Sequence, residues 1–418
     1  MKILLVNHRY FVSGGPERYM FSLIELMHSK GHQIIPFSIN YSNNRQTEYS
    51  QYFISPPISE EHVYFSDLRL NLYEKLILFG KTIYNFEAKK KIKEVIRKEG
   101  IDIVYTLQTV NFLYPSIIDG CKEMGIPVVA RLSDFQLVCP TYTFFRDGEI
   151  CERCKNGYYW AVKNKCAKNS YVVSFARVFA MYVHKILRIQ EKIDGFIAPS
   201  EFLRDKMIEC GMDRSKIVWI PTYIDLNDYM PTYSFDDHIL YVGNILQYKG
   251  LEYLIKAFET IKNDVRLKNV GSSSDGEDER LKNYIRVKGI KNIDFLGFKH
   301  KEELKEIYQK AMFIVMPSIW YENMPRVILE SMAYGKPIIA SNIGSIPELI
   351  DHGKNGFLFE PKNIDDLKEK IQHLLNNPGK IIEMGKRARQ KAEERYGSEL
   401  HYEKLIGVFH KVLGKRNQ

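Results

Sequence analysis

Residues 2–37, KILLVNHRYFVSGGPERYMFSLIELMHSKGHQIIPF, have the pattern of a β-α-β unit. An apolar run at the start predicts a strand, and a pair of glycines follows it. Met20, Leu23 and Met27 then recur at the spacing of one helical face, and Gly31 marks the end of that helix. The run QIIPF predicts a second strand. Because a helical crossover joins parallel strands, this stretch predicts two parallel neighbours in a sheet.

The same alternation of strands and helices continues along the chain and restarts near residue 238. The runs IDIVYTL, IPVVARLS and DGFIAPS predict strands of a first sheet, and HILYVG, NIDFLG and MFIVMPS predict strands of a second. Between the two series, residues 220–237 are rich in Pro, Asp and Tyr without a clear period, as is typical of a linker. We therefore predict an α/β protein with two doubly wound Rossmann-like domains that face each other across a cleft.

The predicted domain organisation follows from these two series. Its parts are an N-terminal domain (1–228) with a Cys-rich insertion (139–170), a C-terminal domain (229–397) and a final helical segment (398–418). We expect the final segment to cross back to the N-terminal domain.

Two further stretches depart from the alternation. Residues 69–98 predict one long helical stretch that ends in a basic run, for which a solvated helix face is the ordinary interpretation. Residues 171–190 predict an apolar helix interrupted by Arg177, His184 and Lys185. We expect this helix to be buried or to lie between domains, and a membrane-surface role is the alternative.

Composition places the chain among ordinary globular proteins. Its 418 residues suggest about two domains, and 45% hydrophobic with 27% charged residues is typical of a soluble fold. The apolar run near the N-terminus is too short for a signal peptide, and no apolar stretch is long enough for a transmembrane helix. We expect a cytoplasmic protein with reduced cysteines, and a position at the inner face of the membrane is compatible with its basic surface. The net charge of +9 suits an anionic partner such as a nucleotide or a membrane surface.

The loop after the first predicted strand is a candidate phosphate site. Gly14 and Gly15 allow a tight turn and a close backbone approach by a ligand, and the following helix N-terminus favours negative charge. A plain structural turn is the alternative. The loop does not contain G-x-G-x-x-G, and the chain has no G-x-x-x-x-G-K-[ST], which excludes the dinucleotide fingerprint and the Walker-type ATPases.

Lys249 precedes the predicted helix LEYLIKAF. A cation at a helix N-terminus is unfavourable by ~0.3–1 kcal/mol, so an anion bound between the two would explain it. A solvated lysine that reaches away from the protein is the alternative.

The stretch SIWYENMPRVILESMAYGKPIIAS, residues 318–341, contains two glutamates eight positions apart. Its Asn-Met-Pro turn predicts a helix start whose free backbone N–H groups suit a phosphate or a sugar hydroxyl. Glu330 would lie one turn inside the helix, where its two oxygens suit the vicinal hydroxyls of a ribose. The alternative is an ion pair between Glu330 and Arg326 at i, i+4.

Three stretches carry a resemblance to a known family. They are PSEFLRDKMIECGMDRSKIVWIPTYID (199–225), ILYVGNILQYKGLEYLIKAF (239–258) and SIWYENMPRVILESMAYGKPIIASNIGSIPELIDHGKNGFLFEPKN (318–363). In order and spacing they resemble family-4 retaining glycosyltransferases with the GT-B fold, and the last contains that family's E-x7-E pattern. The likeness spans nearly the whole chain and is strongest from about 195 to 365.

The resemblance implies a retaining enzyme that moves a sugar from a nucleotide-diphosphate-sugar donor to an acceptor hydroxyl. The N-terminal domain would face the acceptor, the C-terminal domain would bind the donor, and catalysis would require no metal. A glycan or lipid-linked acceptor, surface polysaccharide or lipid-linked glycan assembly and peripheral membrane association fit this family. A non-catalytic sugar-nucleotide-binding or assembly protein is the alternative. We expect no nucleic-acid partner, because the positive charge is spread over the chain.

The resemblance also assigns residues of the donor site. Glu330 corresponds to the family's ribose-binding carboxylate, and Glu322 corresponds to the glutamate beside the donor sugar. The turn formed by Asn323, Met324 and Pro325 would offer backbone N–H groups to that sugar.

Other positions would hold the diphosphate and the base. Lys249 corresponds to the catalytic cation on the diphosphate, and Gly14 and Gly15 correspond to the diphosphate-side loop. Phe298 falls where the family holds the nucleobase through its backbone.

The chain departs from the family's pattern at three places. One is Thr222-Tyr223, which replaces an Asn-Gly before the linker and is expected to affect only the turn. Asn244 stands in the donor site where the family has an arginine, and Arg9 or Arg326 would substitute for that charge. Ser133 stands where the family often has a histidine before an aspartate. Asp134 is therefore the candidate catalytic contact to the acceptor.

Four cysteines form a second candidate site, at Cys139, Cys151, Cys154 and Cys166 with a central C-x-x-C. Four thiolates could bind a structural zinc ion, which would fix a loop at the acceptor mouth. Free reduced thiols are the main alternative, and a redox role is a minor one.

Overall fold

The computed structural model describes residues 1–57, 71–109, 112–236, 238–261 and 265–414. The N-terminal half contains the strands β1 (Lys2–Asn7), β2 (Gln33–Phe37), β3 (Ile103–Gln108), β4 (Val128–Arg131), β5 (Phe145–Arg146), β6 (Glu149–Ile150), β7 (Gly195–Ala198) and β8 (Ile217–Trp219). Its helices are α1 (Gly15–Ser29), α2 (Leu72–Ile83), α3 (Phe86–Glu99), α4 (Ser116–Glu123), α5 (Tyr159–Lys163), α6 (Tyr171–Ile186) and α7 (Glu201–Glu209). The strands form a six-stranded sheet in the order β2-β1-β3-β4-β7-β8, in which all pairs are parallel, and β5 and β6 form a separate antiparallel hairpin.

The C-terminal half repeats this architecture. Its strands are β9 (His238–Val242), β10 (Arg266–Val270), β11 (Ile293–Phe295), β12 (Ile314–Met316), β13 (Ile338–Ser341) and β14 (Gly356–Phe359). Its helices are α8 (Leu251–Phe258), α9 (Glu277–Lys288), α10 (Lys301–Lys310), α11 (Arg326–Ala333), α12 (Ile346–Leu349), α13 (Ile364–Leu375) and α14 (Pro378–Arg395). The strands form a parallel sheet in the order β11-β10-β9-β12-β13-β14.

These two sheets confirm the predicted α/β fold class with two doubly wound domains. In each sheet the strand order reverses beside the first strand, between β1 and β3 in one domain and between β9 and β12 in the other. Open sheets of this kind bind ligands outside the carboxyl ends of the strands at such a switch point. The loops that follow β1, β9 and β12 are therefore the places where a site is expected.

The last helix, α15 (Ser398–Gly414), lies on the N-terminal sheet. Leu405 and Phe409 are fully buried there, and the Phe409 ring packs edge-on against Tyr105 with centroids 5.4 Å apart. His401 Nδ1 lies 2.8 Å from the carbonyl oxygen of Pro221, at the start of the predicted linker. Residues 415–418 lie outside the described residues, and the predicted domain boundary at 228 stays a prediction.

The stretch 69–98, predicted as one helix, is two helices in the structure, α2 and α3. Asn85 separates them because its side chain accepts a hydrogen bond from the backbone N–H of Ala88 and so caps α3. Its amide also donates to the carbonyl oxygen of Phe112 at 2.9 Å, which ties the break to the core. Residues 69 and 70 lie outside the described residues.

The expectation that the helix within 171–190 is buried or interdomain is wrong for half of its surface. One face of α6 is buried, including Ser174, Val178 and Met181, whereas Val172 and Phe175 on the opposite face are exposed. The apolar residues run round the whole helix, so periodicity did not indicate which face the core would take. Over the described parts of the chain, no helix is both long and apolar enough to cross a membrane.

The two domains are joined by direct hydrogen bonds as well as by the chain. Glu348 of the C-terminal domain accepts from the backbone N–H groups of Glu201 at 2.9 Å and Phe202 at 2.6 Å, at the start of α7. Tyr321 donates to Glu152 Oε1 in the Cys-rich insertion at 2.9 Å. These contacts hold the carboxyl ends of both sheets towards each other.

Candidate active site

Glu322 lies in the loop after β12 and is almost completely buried. Its Oε1 atom accepts three hydrogen bonds of 2.7 Å each, from Lys249 Nζ, Ser318 Oγ and Trp320 Nε1. Hydrogen bonds to a charged acceptor are among the stronger ones, so this oxygen is held in one position. The ammonium group of Lys249 also lies 4.9 Å from the centre of the Trp320 ring, within cation–π range. Lys249 is therefore a fixed, paired cation, and the alternative of a freely solvated lysine does not hold.

Close approach of the loops after β9 and β12 places Lys249 beside Glu322. Gly250 makes this approach possible, since its φ is +72° and a Cβ there would lie 1.9 Å from the carbonyl oxygen of Pro317. On the other side, Gly344 has a φ of +61°, and a Cβ there would lie 2.8 Å from the backbone N and O atoms of Glu322. The position of the carboxylate thus depends on two glycines that the residue pattern alone did not single out.

Glu330 lies on α11 and is also buried, but its surroundings are looser than those of Glu322. Its polar partners are Tyr308 Oη at 3.4 Å, Arg326 Nε at 3.6 Å and Arg18 Nη1 at 3.8 Å. All three distances exceed an ordinary charge-assisted hydrogen bond. The ion pair with Arg326 exists, yet it leaves acceptor capacity on the carboxylate, and Arg326 Nε is itself buried without a hydrogen bond. A ligand with adjacent hydroxyl groups would donate hydrogen bonds to the Glu330 carboxylate, and one of its oxygens would accept from Arg326 Nε.

Two of these partners come from outside the sequence stretch that predicted the site. Arg18 lies in the first turn of α1 in the N-terminal domain, and Tyr308 lies on α10. Neither position shows a sequence signal, because each reaches Glu330 only when the chain has folded. Ser318 and Trp320, four and two residues before Glu322, could have been found by asking which donors share its loop.

The glycine pair after β1 lies against the C-terminal domain. A Cβ on Gly15 would lie 3.7 Å from Arg326 Cδ, at ordinary van der Waals distance, and Gly14 has an extended backbone with a φ of −174°. Neither position has a left-handed backbone, and a Cβ at either one would clash with no other atom, so the fold itself does not require glycine at these positions. The prediction that the pair leaves room for a ligand therefore stays a prediction, beside the alternative of a plain structural turn.

The turn before α11 contacts the N-terminal domain. Asn323 Nδ2 donates to the carbonyl oxygen of Ser133 at 3.0 Å, whereas its Oδ1 atom is buried without a hydrogen-bond partner. Met324 is partly buried and packs on the C-terminal core, and Pro325 precedes the first residue of α11. The predicted donor-site turn is thus anchored next to Asp134.

Asp134 is half-buried at this junction. Its Oδ1 atom accepts from the backbone N–H of Gln136 at 2.9 Å, and its Oδ2 atom accepts from the side chain of Gln108 at 3.3 Å. Burial raises the pKa of Asp134 to about 6, against the lowering effect of these two hydrogen bonds. A carboxyl group with this pKa changes its charge close to neutral pH.

Two predicted donor-site residues stand apart from these contacts. Phe298 is 61% exposed, and its ring contacts that of His300. Asn244 is exposed, and its carbonyl oxygen accepts from Tyr241 Oη at 3.0 Å. Of the two arginines considered as substitutes at the Asn244 position, Arg9 donates to Ser13 Oγ at 2.8 Å, while Arg326 lies between the glycine pair and Glu330.

The four cysteines of the insertion are all free thiols, of which Cys139 and Cys154 are buried. Burial first, and then the nearby Cys139, Cys166 and Cys151, raise the pKa of Cys154 to about 12. Within the described residues, no three His, Cys, Asp or Glu side chains are grouped so that they could hold a metal ion. Zinc binding stays a prediction, which metal analysis of the purified chain would test.

Comparison with known proteins adds two family matches that together span most of the chain. The model described as Glycosyltransferase Family 4 matches residues 13–228, and that described as Glycosyl transferases group 1 matches residues 233–395.

Individual relatives agree with these matches. An uncharacterised glycosyltransferase of Methanocaldococcus jannaschii is 30% identical over 298 residues, covering 70% of this chain and 71% of the relative. An uncharacterised 42.6 kDa protein in the cps region of Klebsiella pneumoniae is 25% identical over 388 residues, covering 89% and 96%. Two other relatives are matched over only 48% and 59% of their own length.

Solved structures share the fold over almost the whole chain. Sucrose-phosphate synthase from Thermosynechococcus elongatus superposes with a TM-score of 0.74 at 19% identity, covering 99% of both chains. HepE of Anabaena in complex with UDP-glucose superposes with a TM-score of 0.69 at 16% identity, covering 98% of this chain and all of that one.

Proposed function

The chain belongs to glycosyltransferase family 4, and from that premise we propose that it transfers a sugar from a nucleotide-diphosphate donor to an acceptor hydroxyl with retention at the anomeric carbon. The HepE structure, which has the same fold and is described as a complex with UDP-glucose, supports a nucleotide-sugar donor. The relative from the Klebsiella cps region supports a setting in surface polysaccharide or lipid-linked glycan assembly.

The observation that carries this proposal is the condition of Glu330. Its carboxylate is buried, and its partners Tyr308, Arg326 and Arg18 lie 3.4–3.8 Å away, farther than in a short charge-assisted hydrogen bond. Burial removes water that would otherwise solvate it, so closer hydrogen bonds from a ligand would be favourable. Adjacent hydroxyls of a ribose would donate to both of its oxygens, and a phosphate oxygen would accept from the buried Nε of Arg326. The carboxylate and the guanidinium lie at the switch-point end of the C-terminal sheet, where such folds bind ligands.

Lys249 and the start of α11 would stabilise the leaving diphosphate. The charge that develops on the leaving group would meet an ammonium already fixed by Glu322, so little reorganisation is needed during the reaction. One preorganised donor of this kind is often worth ~3 kcal/mol of transition-state stabilisation. In this proposal the chain's own cation performs the role, and transfer is expected to continue in the presence of EDTA.

Asp134 would contact the acceptor hydroxyl. Asn323, whose turn serves the donor, binds the carbonyl oxygen of the neighbouring Ser133, so donor and acceptor groups meet at this junction. The hydrogen bonds between the domains would keep water away from the reacting carbon and so limit donor hydrolysis.

Donor turnover tests the proposal. We would incubate the full chain with UDP-, GDP-, ADP- and dTDP-sugars and follow nucleoside diphosphate release and the anomeric configuration of the sugar product by NMR. Lys249→Ala should lower the rate by about 100-fold, which corresponds to the ~3 kcal/mol above. Lys256→Ala, on the surface of α8, is the matched control and should keep the wild-type rate.

Inversion at the anomeric carbon would contradict the retaining mechanism. Binding of a donor without turnover with any acceptor fraction would instead favour a non-catalytic sugar-nucleotide-binding protein.

A further inference from the structure

Helix α6 presents an apolar stripe to solvent. Five side chains spaced by three and four residues lie on this stripe and are between 38% and 78% exposed: Val172, Phe175, Phe179, Tyr182 and Ile186. Spacing of this kind places residues on one face of a helix. Scattered apolar residues on a surface are ordinary, but a contiguous row of aromatic and branched side chains indicates an interaction surface.

Helix α2 extends this stripe. The rings of Phe79 on α2 and Phe179 on α6 have centroids 6.0 Å apart, so the two helices lie side by side. Tyr73 and Leu76 of α2 are 71% and 59% exposed. We call the exposed side chains of these two helices the α2–α6 face.

The charge at the two ends of the stripe is mainly positive. Residues 153–190 contain no Asp or Glu, and Lys165 and Lys168 come shortly before α6. Glu191 pairs with Arg188 and Glu74 lies on α2, so the positive charge is an excess over these carboxylates. Lys185 and Arg188 are exposed beside Ile186, at the end of the stripe. An apolar helix face flanked by lysine and arginine is the pattern of a helix that lies in the interface of an anionic bilayer.

The α2–α6 face lies on the side of α6 opposite to the residues that lead to Asp134. The opposite side of α6 lines a cavity that includes Met181, His184 and Gln136. The backbone N–H of Gln136 donates to Asp134, the proposed acceptor contact. A surface on which the α2–α6 face rested would therefore lie on the acceptor side of the N-terminal domain.

We propose that the α2–α6 face is a docking surface for an anionic lipid bilayer. Phe, Tyr, Val and Ile side chains would enter the headgroup region, and the flanking lysines and arginines would meet the negative headgroups. A second copy of the chain fits less well, because a two-fold interface would bring together two faces that each carry an excess of positive charge. Docking does not require the proposed donor chemistry, since the proposed donor residues Lys249, Glu322 and Glu330 belong to the C-terminal half and not to α2 or α6.

Vesicle flotation with the purified full chain tests this proposal. We expect binding to vesicles that contain phosphatidylglycerol, weaker binding at high salt, and little binding to pure phosphatidylcholine vesicles. The double variant Val172→Ser/Phe175→Ser should lower the affinity by about tenfold or more, because its apolar contacts with the bilayer are lost. The matched control is Val287→Ser/Met230→Ser, at two exposed apolar positions of the C-terminal domain, and it should bind as the wild type does.

A second variant keeps the test independent of folding defects. Lys185→Gln removes one exposed charge and should lower the affinity for anionic vesicles by roughly fivefold. Thermal unfolding of all variants should match the wild type, because the changed side chains are exposed.

Equal binding of the wild type and both α6 variants would overturn the proposal, as would an absence of binding to anionic vesicles. Light scattering provides a further outcome against it. A dimer that Val172→Ser/Phe175→Ser abolishes would show that a second copy covers this face.

Discussion

Glu322 and Glu330 lie eight residues apart, yet folding puts them in different chemical situations. The first has three donors on one oxygen at 2.7 Å, whereas the nearest donor to the second is 3.4 Å away. The first therefore positions a cation, and the second is suited to receive hydroxyl groups from outside the chain. Sequence spacing predicted that both carboxylates matter, but it could not distinguish the roles because the donors that do so include Arg18 and Tyr308 of other elements.

Asp134→Asn should change the pH dependence of stability. The pKa of Asp134 is raised by burial to about 6 in the folded protein, above the usual value near ~4 of an unfolded chain. The folded state therefore binds the proton more tightly, and this group's contribution to stability falls as the pH rises from about 4 to about 6. The asparagine does not titrate, so the variant should gain on the order of 1–2 kcal/mol relative to wild type between pH 4 and pH 7.

Urea unfolding of both proteins at the two pH values measures this gain. A difference in stability that is the same at pH 4 and pH 7 would show that the Asp134 carboxyl group has an ordinary pKa. Acceptor transfer by the variant should fall at all pH values, because the proposed contact is lost.

At the scale of elements, the site depends on how closely two loops approach each other. The loops after β9 and β12 leave adjacent strands of the C-terminal sheet, and Gly250 lets one backbone pass over the other. Alternation of strands and helices predicted both loops and the strands that carry them. It could not predict the contact, because a glycine before a helix has the same appearance whether or not another backbone lies above it.

Gly250→Ala should separate these loops, and Gly276→Ala is its matched control. Both glycines precede helices and have left-handed backbones, with φ values of +72° and +81°. A Cβ at 276 would meet no atom within 4 Å, so that variant carries backbone strain alone, about 1 kcal/mol. At 250 the Cβ would also strike the carbonyl oxygen of Pro317, so we expect a further loss of roughly 1–3 kcal/mol and weaker donor binding.

Thermal unfolding and donor titration of the two variants measure these effects. Equal losses in stability with unchanged donor binding would mean that the approach of the loops does not position the Lys249–Glu322 pair.

Helices α2 and α6 show two features that local sequence patterns could not predict, namely where a helix ends and which face of a helix is exposed. The residues Tyr84 and Asn85 end one helix and begin the next, although the surrounding residues 69–98 favour a continuous helix. The buried contact of Asn85 with Phe112 decides the break, and it joins residues 27 positions apart in sequence. For α6, apolar residues on every side gave no indication of which face would remain exposed.

At the scale of the whole molecule, the two domains share the candidate site. Gly15 and Arg18 come from the first domain, and Arg326 and Glu330 come from the second. The repeated β-α-β pattern was enough to predict two facing domains. The contacts between the domains arise from side chains far apart in sequence, so they required the structure.

Glu348→Gln should loosen the contact between the domains. Each oxygen of Glu348 accepts one backbone N–H at the start of α7, and an amide can accept only one of them. We expect faster hydrogen exchange at Glu201 and Phe202 and a larger radius of gyration in solution scattering, with a loss of about 1–3 kcal/mol. Glu383→Gln, on the exposed surface of α14, should leave both measurements unchanged; an identical response of the two variants would contradict a specific role for Glu348.

The measurement that tests the donor site most directly is calorimetric titration of the full chain with UDP, GDP, ADP and dTDP. Glu330→Gln and Glu302→Gln are compared with the wild type, since Glu302 is an exposed glutamate on α10. We predict that one nucleotide binds to wild type and to Glu302→Gln, and that Glu330→Gln loses about 1.5–3 kcal/mol of that binding, the usual worth of hydrogen bonds to a charged group. Binding that is unchanged in Glu330→Gln, or no binding of any nucleotide to the wild type, would contradict the assignment of Glu330 to the donor.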